Sequence, residues 1–564
     1  MGRTISIGNQ SFEDIKKNNY FYTDKTSFIK EWWENGDSVT LITRPRRFGK
    51  TLNMNMLDCF FSNKYADRAD LFEGLDIWKE EKYRELQGTF PVIFITFAGV
   101  KGTDYESTVK GIKKQIVRIF SDHSYLRTYD GFDMMEKEAL SKISEDMNDV
   151  DAEYSLNLLS TLLQKYYKKK VIILLDEYDT PMQEAYINGY WDKLTAFIRS
   201  MFNNTFKTNP SLDRAVLTGI TRVSKESIFS DLNNLEVITT TSQKYETCFG
   251  FTEEEVFNAM DEQGIDHSQK EKVKKWYDGF TFGRVPDIYN PWSIISYLDK
   301  KEFNTYWANT SSNGLIGKLI REGDRSIKSE FEKLLKGEFI EAKIDEQIVF
   351  SQLSKNRNAI WSLLLASGYL KVDALIPDAE PDEPIYRLLP TNHEVRRMFE
   401  KMVVGWFEQD ENFGEFVSYM LKGDVRAMNY YMNKVALNTF SYFDTGSKPS
   451  EEKEPERFYH GFVLGLMVEN APKYMVKSNR ESGFGRYDVV MEPKDTKDKA
   501  IIIEFKVMDR EDGEKTLEDT AVNALKQIDE KKYDTDLFVR GIPKENIYKY
   551  GFAFEGEKCL IRRS

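Results

Sequence analysis

Hydrophobic residues in the first 250 positions follow two different spacings. Apolar residues three and four positions apart, typical of helices, occur at 27–34, 51–61 and 156–167. Short apolar runs, typical of buried strands, occur at 38–43, 91–97, 171–175 and 214–220. Strands that alternate with helices predict a parallel sheet that is covered by helices on both faces.

Beyond residue 250 the strand pattern weakens. Acidic residues at 253–255 and a proline at 291 favour two helix starts. Residues 358–407 have the pattern of a helix, a hairpin and a helix, which predicts a winged-helix-like module. Residues 444–455 are polar and contain glycine, proline and a charge run, as linkers do. We therefore predict domains at 1–248, 249–443 and 457–564, with a linker at 444–456.

The first predicted strand leads into a loop that ends in Gly49, Lys50 and Thr51 and opens a helix. In a P-loop, backbone N–H groups and the helix N-terminus bind phosphates, the lysine contacts the outer phosphates and the threonine binds Mg²⁺. The usual first glycine is replaced by Arg44. Taken alone, this segment leaves a chance match open.

A second apolar strand, 171–175, is followed by Asp176 and Glu177. An aspartate at the end of a strand adjacent to the P-loop strand would hold the water shell of the metal. Glu177 would orient and deprotonate the attacking water. Two acids that only cap a strand end are the alternative. Together the two segments predict a site for ATP and Mg²⁺.

Several arginines complete the predicted nucleotide site. Arg222 follows the strand at 214–220 and could stabilise charge on the γ-phosphate, or it could form a surface ion pair. Arg46 and Arg47 could contact phosphate or a neighbouring subunit, which would require a homo-oligomer. The predicted ATP-binding residues are Arg46, Arg47, Phe48, Gly49, Lys50, Thr51 and Asp176. Thr51 and Asp176 would bind the metal, and Glu177 and Arg222 would be catalytic.

A second group of chemically active residues lies near the C-terminus. Asp488 belongs to a predicted strand at 485–491, and Glu504 and Lys506 share one face of a strongly apolar strand at 500–507. A hairpin symmetric about residue 496 would place Asp488 directly opposite Glu504. Like charges in that position are destabilising, and Mg²⁺ or Mn²⁺ bound to both acids would remove the conflict. An ion pair of Lys506 with either acid is the alternative.

Several motifs resemble the AAA-ATPase-like family of bacterial proteins, and the resemblance covers most of the chain. They are Phe12-Glu13-Asp14-Ile15, Tyr22-Thr23-Asp24-Lys25-Thr26, Arg44-Pro45-Arg46-Arg47-Phe48-Gly49-Lys50, Leu175-Asp176-Glu177-Tyr178-Asp179, Trp276-Tyr277-Asp278-Gly279-Phe280 and Tyr289-Asn290-Pro291-Trp292-Ser293. The resemblance includes the arginine at position 44. It implies that residues 22–26 lie near the nucleotide base, although Asp24 or Thr26 as a helix cap and Asp278 with Gly279 as a turn are equally consistent with the residues.

Asp488, Glu504, Phe505 and Lys506 resemble the Asp…Glu-x-Lys pattern of the PD-(D/E)XK nuclease superfamily. The resemblance implies that Asp488, Glu504 and Lys506 are catalytic, with the two acids as metal ligands. Glu456 or Glu469 would supply a further acid, and Gln527 with Tyr533 would brace the site.

The two resemblances, together with the pattern of residues 358–407, imply an α/β multidomain fold. It comprises a three-layer P-loop ATPase domain of ASCE or AAA-like type, a helical middle region with a winged-helix-like module, and a C-terminal restriction-endonuclease-like α/β domain.

Composition narrows the function further. The net charge of −13 argues against a surface built for nonspecific DNA binding, but it leaves room for a local basic groove. Three dispersed cysteines and four histidines give little basis for zinc or disulfide chemistry, and no segment predicts a membrane span, so we expect a cytoplasmic protein. We expect an ATP-binding and ATP-hydrolysing protein that regulates a metal-dependent nuclease, with DNA favoured over RNA. The alternative is an ATP-dependent sensor or scaffold whose nuclease-like domain binds without cutting.

Overall fold

The computed structural model describes most of the chain in two compact units. The described residues are 2–220, 228–229, 231–307, 316–317, 319–320, 325–344, 356–376, 384–405, 415–440, 473–482, 485–510, 513–555 and 558–564. One unit comprises Met1–Leu315 with Glu341–Val395, and the other comprises Ile316–Ile340 with Arg396–Ser564. Arg222, the predicted linker, Glu456, Glu469 and the side chain of Asp488 lie outside the described residues.

The first unit contains a parallel sheet of five described strands, as the sequence predicted. The strands are β1 (Val39–Thr43), β2 (Val92–Thr96), β3 (Val171–Asp176), β4 (Leu212–Gly219) and β5 (Leu235–Ile238), in the order β2-β3-β4-β1-β5. The expectation that the Asp176 strand is adjacent to the P-loop strand is wrong. β4 lies between them and pairs in parallel with both. Leu217 of β4 is in register with Leu41 of β1 and with Leu175 of β3. Its buried apolar segment suits this central position.

Helices accompany these strands along the chain. They are α1 (Phe12–Lys17), α2 (Ser27–Asn35), α3 (Lys50–Phe61), α4 (Glu81–Leu86), α5 (Tyr105–Asp122), α6 (Met134–Ser141), α7 (Asp149–Tyr167), α8 (Thr180–Asn188) and α9 (Trp191–Phe202), which continues into a π-helical turn at Asn203–Lys207. Helix α7 begins earlier than its apolar pattern predicts, because the side chain of Asn148 accepts a hydrogen bond from the amide of Asp151 and caps a polar first turn. Among the described helices, none is long and apolar enough to cross a membrane.

The remainder of the first unit adds two small sheets and further helices. Strands β6 (Phe251–Thr252), β7 (Phe280–Phe282) and β8 (Val285–Tyr289) form an antiparallel sheet in the order β6-β8-β7. Helices α10 (Glu253–Glu262), α11 (Lys270–Tyr277) and α12 (Pro291–Lys300) accompany it, and the predicted starts of α10 and α12 are confirmed. A second sheet has the order β10-β11-β9 and is formed by β9 (Ile340–Lys343), β10 (Leu370–Leu375) and β11 (Ile385–Pro390).

The predicted order of helix, hairpin and helix in this region is confirmed. Strands β10 and β11 pair antiparallel and lie, in the chain, between α14 (Arg357–Ala366) and α15 (His393–Gly405). An earlier helix, α13 (Arg325–Lys336), belongs to the second unit by its residue range.

The second unit is built on a mixed sheet of five described strands. They are β12 (Tyr474–Ser482), β13 (Gly485–Pro493), β14 (Ala500–Val507), β15 (Ile547–Glu555) and β16 (Lys558–Arg563), in that order, and only β14 and β15 run parallel. Its helices are α16 (Glu415–Lys422), α17 (Val425–Phe440), α18 (Leu517–Glu530) and α19 (Thr535–Val539). Val489 pairs with Ile503 and Met491 with Ile501, so the predicted hairpin symmetry about residue 496 is confirmed.

Helix α17 covers the edge strand β16 through two asparagine side chains. The amide of Asn429 donates to the carbonyl of Ile561 over 2.9 Å and accepts from its N–H over 2.8 Å. Asn433, one helical turn later, bonds the carbonyl and N–H of Cys559 over 2.7 and 3.1 Å. The two amides therefore bind alternate residues of β16 as a neighbouring strand would, which protects an edge that could otherwise pair with another chain.

We predict that replacing both asparagines with leucine exposes this edge. The backbone groups of residues 559 and 561 would lose their partners, at roughly 1–3 kcal/mol for each buried group left unsatisfied. The double variant should unfold at lower urea concentration and self-associate, as measured by urea titration and light scattering. Tyr430→Leu, at a 71% exposed position of the same helix, is the control. Unchanged stability and mass in the double variant would contradict the edge-cover interpretation.

Candidate nucleotide site and candidate nuclease site

Lys50 is the first residue of α3, and its side chain folds back against the loop that precedes the helix. Gly49, with φ of +78°, is the N-cap, and its left-handed backbone turns the chain from the loop into the helix. The Lys50 ammonium donates to the carbonyl of Arg44 over 2.9 Å and to that of Pro45 over 2.8 Å. Burial lowers the pKa of Lys50, and the nearby carboxylates, Glu177 first, oppose this shift. The loop thus holds a buried cation where a P-loop binds phosphate.

Thr51, Asp176 and Thr218 meet at the carboxyl end of the parallel sheet. The Thr51 hydroxyl donates to Asp176 Oδ2 over 2.7 Å, and the Thr218 hydroxyl donates to Asp176 Oδ1 over 2.5 Å. Burial raises the pKa of Asp176, and the bonds from Thr218 and Thr51 counteract that rise. Hydroxyl and carboxylate oxygens are the ligands that Mg²⁺ prefers, so Thr51 and Asp176 fit a magnesium ion. Sequence reasoning missed Thr218, although it lies at the end of a strand that the apolar pattern identified.

Glu177 follows Asp176 in a left-handed backbone conformation, with φ of +52°. Its N–H donates to the Thr218 hydroxyl over 3.3 Å, and its carboxylate accepts from the Thr180 hydroxyl at the start of α8 over 3.2 Å. A non-glycine residue in this conformation is strained, and such strain is common at functional sites. The partly exposed carboxylate is thereby fixed beside the buried Asp176 and can bind a water molecule.

Arg44, at the usual first-glycine position, has a structural role in this loop. Its side chain is fully buried and donates to the carbonyls of Thr43 over 3.0 Å and Thr239 over 2.6 Å. Its guanidinium carbon lies 4.5 Å from the ring centre of Phe282. Burial lowers the pKa of Arg44 to about 10. The departure from the usual motif is therefore explained by a cation that anchors the base of the loop to the segment that follows β5.

Arg46 and Arg47 contact residues of their own chain. The Arg46 guanidinium donates to Gln183 Oε1 over 3.1 Å. The Arg47 guanidinium carbon lies 4.4 Å from the ring centre of Trp292, and the Arg47 backbone has φ of +65°. These contacts give both arginines a role within one subunit.

Phe48 connects the loop to the small β6-β8-β7 sheet. Its buried ring lies edge-on to Phe280 and Phe282 of β7, with centre distances of 4.7 and 5.3 Å. A Cβ atom at Gly250, which has φ of +80°, would lie 3.1 Å from this ring. The Phe48 side chain therefore packs closely against the region that follows the parallel sheet.

Two other motif segments form local structure. Asp24 Oδ1 accepts from the N–H of Thr26 over 2.9 Å, and Asp24 Oδ2 accepts from the N–H of Asp76 over 2.7 Å, so Asp24 braces the start of α2. Asp278 accepts from the N–H of Gly279 over 2.6 Å, and Gly279 has φ of +131°. Thr26 thus occupies the N-cap position of α2, which has no side-chain capping bond, and the Asp278–Gly279 bond is local.

Glu504 lies buried on β14 beneath helix α18. Gly551 is in register with it on β15, and a Cβ atom there would lie 2.4 Å from the carbonyl of Ala521, so only glycine lets α18 approach this closely. The amide of Gln527 on α18 donates to Glu504 Oε1 and to the Tyr533 hydroxyl, the latter over 3.3 Å. Gln527 therefore contacts Glu504 directly, and Tyr533 contacts Gln527.

The backbone of Asp488 lies one residue before Val489, and Val489↔Ile503 is the last pair of the β13–β14 register on this side. Lys506 is half-buried, shares the face of Glu504 and is in register with Ala553. Among the side chains that the structure describes, which exclude Asp488, no three histidine, cysteine or acidic residues could hold a metal ion. The carboxylate of Glu504 is itself an oxygen ligand of the type that Mg²⁺ prefers.

Glu514 is a buried acid near Lys506 that sequence reasoning missed. It accepts hydrogen bonds from Thr520 over 2.6 Å, Asn523 over 2.7 Å and the N–H of Asp509 over 3.0 Å. Burial opposes ionisation, but these bonds, together with the charge of Lys506, lower the pKa of Glu514 overall. An ionised carboxylate is therefore fixed at the end of β14. No local pattern marked it, because its two side-chain partners, Thr520 and Asn523, are brought to it by α18.

Comparison with known proteins confirms both resemblances. Residues 6–229 match the family described as "Predicted AAA-ATPase", and residues 454–564 match the PD-(D/E)XK nuclease superfamily. A relative from Azotobacter chroococcum mcd 1, described as an uncharacterized protein in the vnfD 5' region, is 25% identical over 399 residues. That match covers 70% of this chain and 68% of the relative.

We predict that Arg44→Gly destabilises the protein, although it brings the loop closer to the usual P-loop motif. The change removes a fully buried side chain and leaves two carbonyls without their partner, which should cost at least about 3 kcal/mol. Denaturant unfolding measures the effect, with Arg46→Gly on the half-buried neighbour as control. An Arg44→Gly protein as stable as wild type would contradict the anchoring role.

Proposed function

We propose that this protein binds and hydrolyses ATP with Mg²⁺ at the carboxyl end of its parallel sheet. The observation that carries the proposal is the 2.7 Å contact between Thr51, in the first turn of α3, and Asp176, which ends β3. The strand order, with β4 inserted between the two strands, supports an ASCE or AAA-like type of ATPase. The match of residues 6–229 to a predicted AAA-ATPase supports the same assignment.

Each residue has a defined role in this proposal. The N–H groups from Phe48 to Thr51 and the Lys50 ammonium bind the phosphates, and Thr51 and Asp176 hold the magnesium ion. Bound Mg²⁺ would offset phosphate charge. Glu177 orients the attacking water and accepts its proton. Arg222 stabilises charge on the γ-phosphate, and a homo-oligomer is required only if an arginine acts from a neighbouring subunit.

We further propose a metal-dependent nuclease site at Asp488, Glu504 and Lys506. The hairpin register and the Gln527–Glu504 bond support it, as does the match of residues 454–564 to the nuclease superfamily. Asp488 and Glu504 would hold Mg²⁺ or Mn²⁺, which would activate water and stabilise negative charge in phosphodiester cleavage. Lys506 orients the nucleophile or offsets the developing charge. The substrate class is nucleic acid, with DNA preferred to RNA.

ATP would regulate this nuclease through the middle region. The P-loop residues Arg47 and Phe48 contact Trp292 and β7, so a change in the loop reaches residues beyond the parallel sheet directly. The winged-helix-like module, which comprises α14, the β10–β11 hairpin and α15, would bind duplex or transmit the change.

Cleavage assays test the proposal. Labelled single- and double-stranded DNA and RNA are incubated with Mg²⁺ or Mn²⁺, with and without ATP, using wild type, Lys506→Ala and Lys50→Ala. We expect the cleavage rate of Lys506→Ala to fall about 100-fold or more, because the variant lacks a group that stabilises charge in the transition state. Lys50→Ala should abolish the effect of ATP. Lys497→Ala, in the exposed turn before β14, is the matched control.

The outcomes separate the two modules. Cleavage that is unaffected by ATP would contradict the regulatory link. ATP turnover without any cleavage would contradict the nuclease assignment and favour a sensor or scaffold that binds without cutting.

A further inference from the structure

We propose that Asn290 and Trp292 form a clamp that holds the P-loop in its phosphate-binding conformation. Both residues lie more than 240 positions from Arg46 and Arg47 and would be positioning residues for ATP binding. The inference rests on the proposed ATP site and adds residues from outside the parallel-sheet region to it. It also gives a role to a motif that neither the predicted nucleotide site nor the predicted nuclease site includes.

Asn290 binds helix α12 and the P-loop with opposite ends of one amide. Its Oδ1 accepts from the N–H groups of Trp292 and Ser293 over 2.9 and 3.3 Å and so caps α12. Its Nδ2 donates to the carbonyl of Arg46 over 3.2 Å. The side chain is almost fully buried. The bond fixes the Arg46 carbonyl to α12, which keeps that oxygen from turning towards an anion.

Trp292 contacts Arg47 and supports a backbone conformation that Arg47 would otherwise avoid. Arg47 has φ of +65°, in the region that favours glycine. Left-handed residues within a turn direct successive N–H groups to one side, where they form a concave site for anions. The Arg47 guanidinium lies over the Trp292 ring at 4.4 Å, a cation–π contact that stabilises this conformation. The loop therefore uses an arginine with an aromatic support where a glycine would need none.

The loop residue that follows Arg47, Phe48, is held by aromatic rings. The buried Phe48 ring packs edge-on against Phe280 and Phe282, and a Cβ atom at Gly250 would lie 3.1 Å from it. Residues 46, 47 and 48 are therefore each fixed by a contact with the segment 250–292. Phosphate binding gains from this preorganisation, because less conformational freedom is lost on binding.

The clamp also continues into the middle region. The hydroxyl of Ser293, next to Trp292, donates to Glu394 Oε2 over 2.7 Å, and Glu394 Oε1 accepts from the N–H of Trp307 over 2.6 Å. The Trp307 ring stacks on Tyr369 at a centre distance of 5.3 Å. These buried contacts connect α12 to the start of α15 and to the residue before β10. The P-loop conformation is thereby coupled to the module that we propose as the transmitter.

Equilibrium binding of a fluorescent ATP analogue with Mg²⁺ tests the clamp. Asn290→Asp keeps an acceptor that caps α12 about as well as asparagine but loses the donor to Arg46. Trp292→Leu keeps apolar volume and loses the cation–π contact. Each should raise Kd about fivefold, which corresponds to about 1 kcal/mol. Melting temperatures without nucleotide show whether each variant folds.

The Arg47→Gly background distinguishes support of the Arg47 backbone by Trp292 from a purely structural role of Trp292. Glycine adopts the left-handed conformation without support, so Trp292→Leu should cause no further loss of affinity in the Arg47→Gly background. If Trp292→Leu weakens binding fivefold in both backgrounds, Trp292 acts independently of Arg47, and its part of the proposal is overturned. Wild-type affinity in Asn290→Asp and Trp292→Leu would overturn the whole clamp. Wild-type protein that binds ATP no better than Lys50→Ala would instead overturn the proposed ATP site, and the clamp with it.

Discussion

The hydrogen bond between Thr51 and Asp176 is the contact on which the organisation of the first unit depends. It joins α3, the helix after the P-loop, to β3, which is not adjacent to the P-loop strand β1 in the sheet. The strand between them, β4, contributes Thr218, which also donates to Asp176. A buried carboxylate is costly unless its oxygens are bonded, and here each oxygen accepts from a threonine hydroxyl. The same oxygens suit a magnesium ion, so the interaction that stabilises the fold also prepares the proposed site.

Burial of cations is the second constraint on this site. Lys50 and Arg44 are both buried at the base of the loop, and burial lowers the pKa of each. Backbone carbonyls bind both head groups, and the carboxylates of Asp176, Glu177 and Asp179 lie close to Lys50. Phosphate groups would enter a site whose positive charge is already fixed in position. Such preorganisation favours anion binding, because little free energy is spent on rearranging the site.

The sequence predicted those features that depend on local patterns. Apolar runs identified β1 to β4 of the parallel sheet and β13 and β14 of the mixed sheet, but not β5, β12, β15 or β16. The position of the turn predicted the register of β13 and β14. Patterns of this kind contain no information on strand order, so the insertion of β4 between β1 and β3 was missed. The roles of Arg44, Thr218 and Asn290 were missed for a related reason. Their partners are distant in sequence, and only the folded chain brings carbonyls such as that of Thr239 to Arg44.

The central claim is that Thr51 and Asp176 together hold the metal of a bound nucleotide. Isothermal titration of ATP into wild type and Thr51→Ala, each with and without Mg²⁺, tests it most directly. We predict that Mg²⁺ strengthens ATP binding to wild type and that Thr51→Ala loses most of this effect but keeps binding through Lys50. An equal effect of Mg²⁺ on both proteins, or no ATP binding by wild type, would contradict the account.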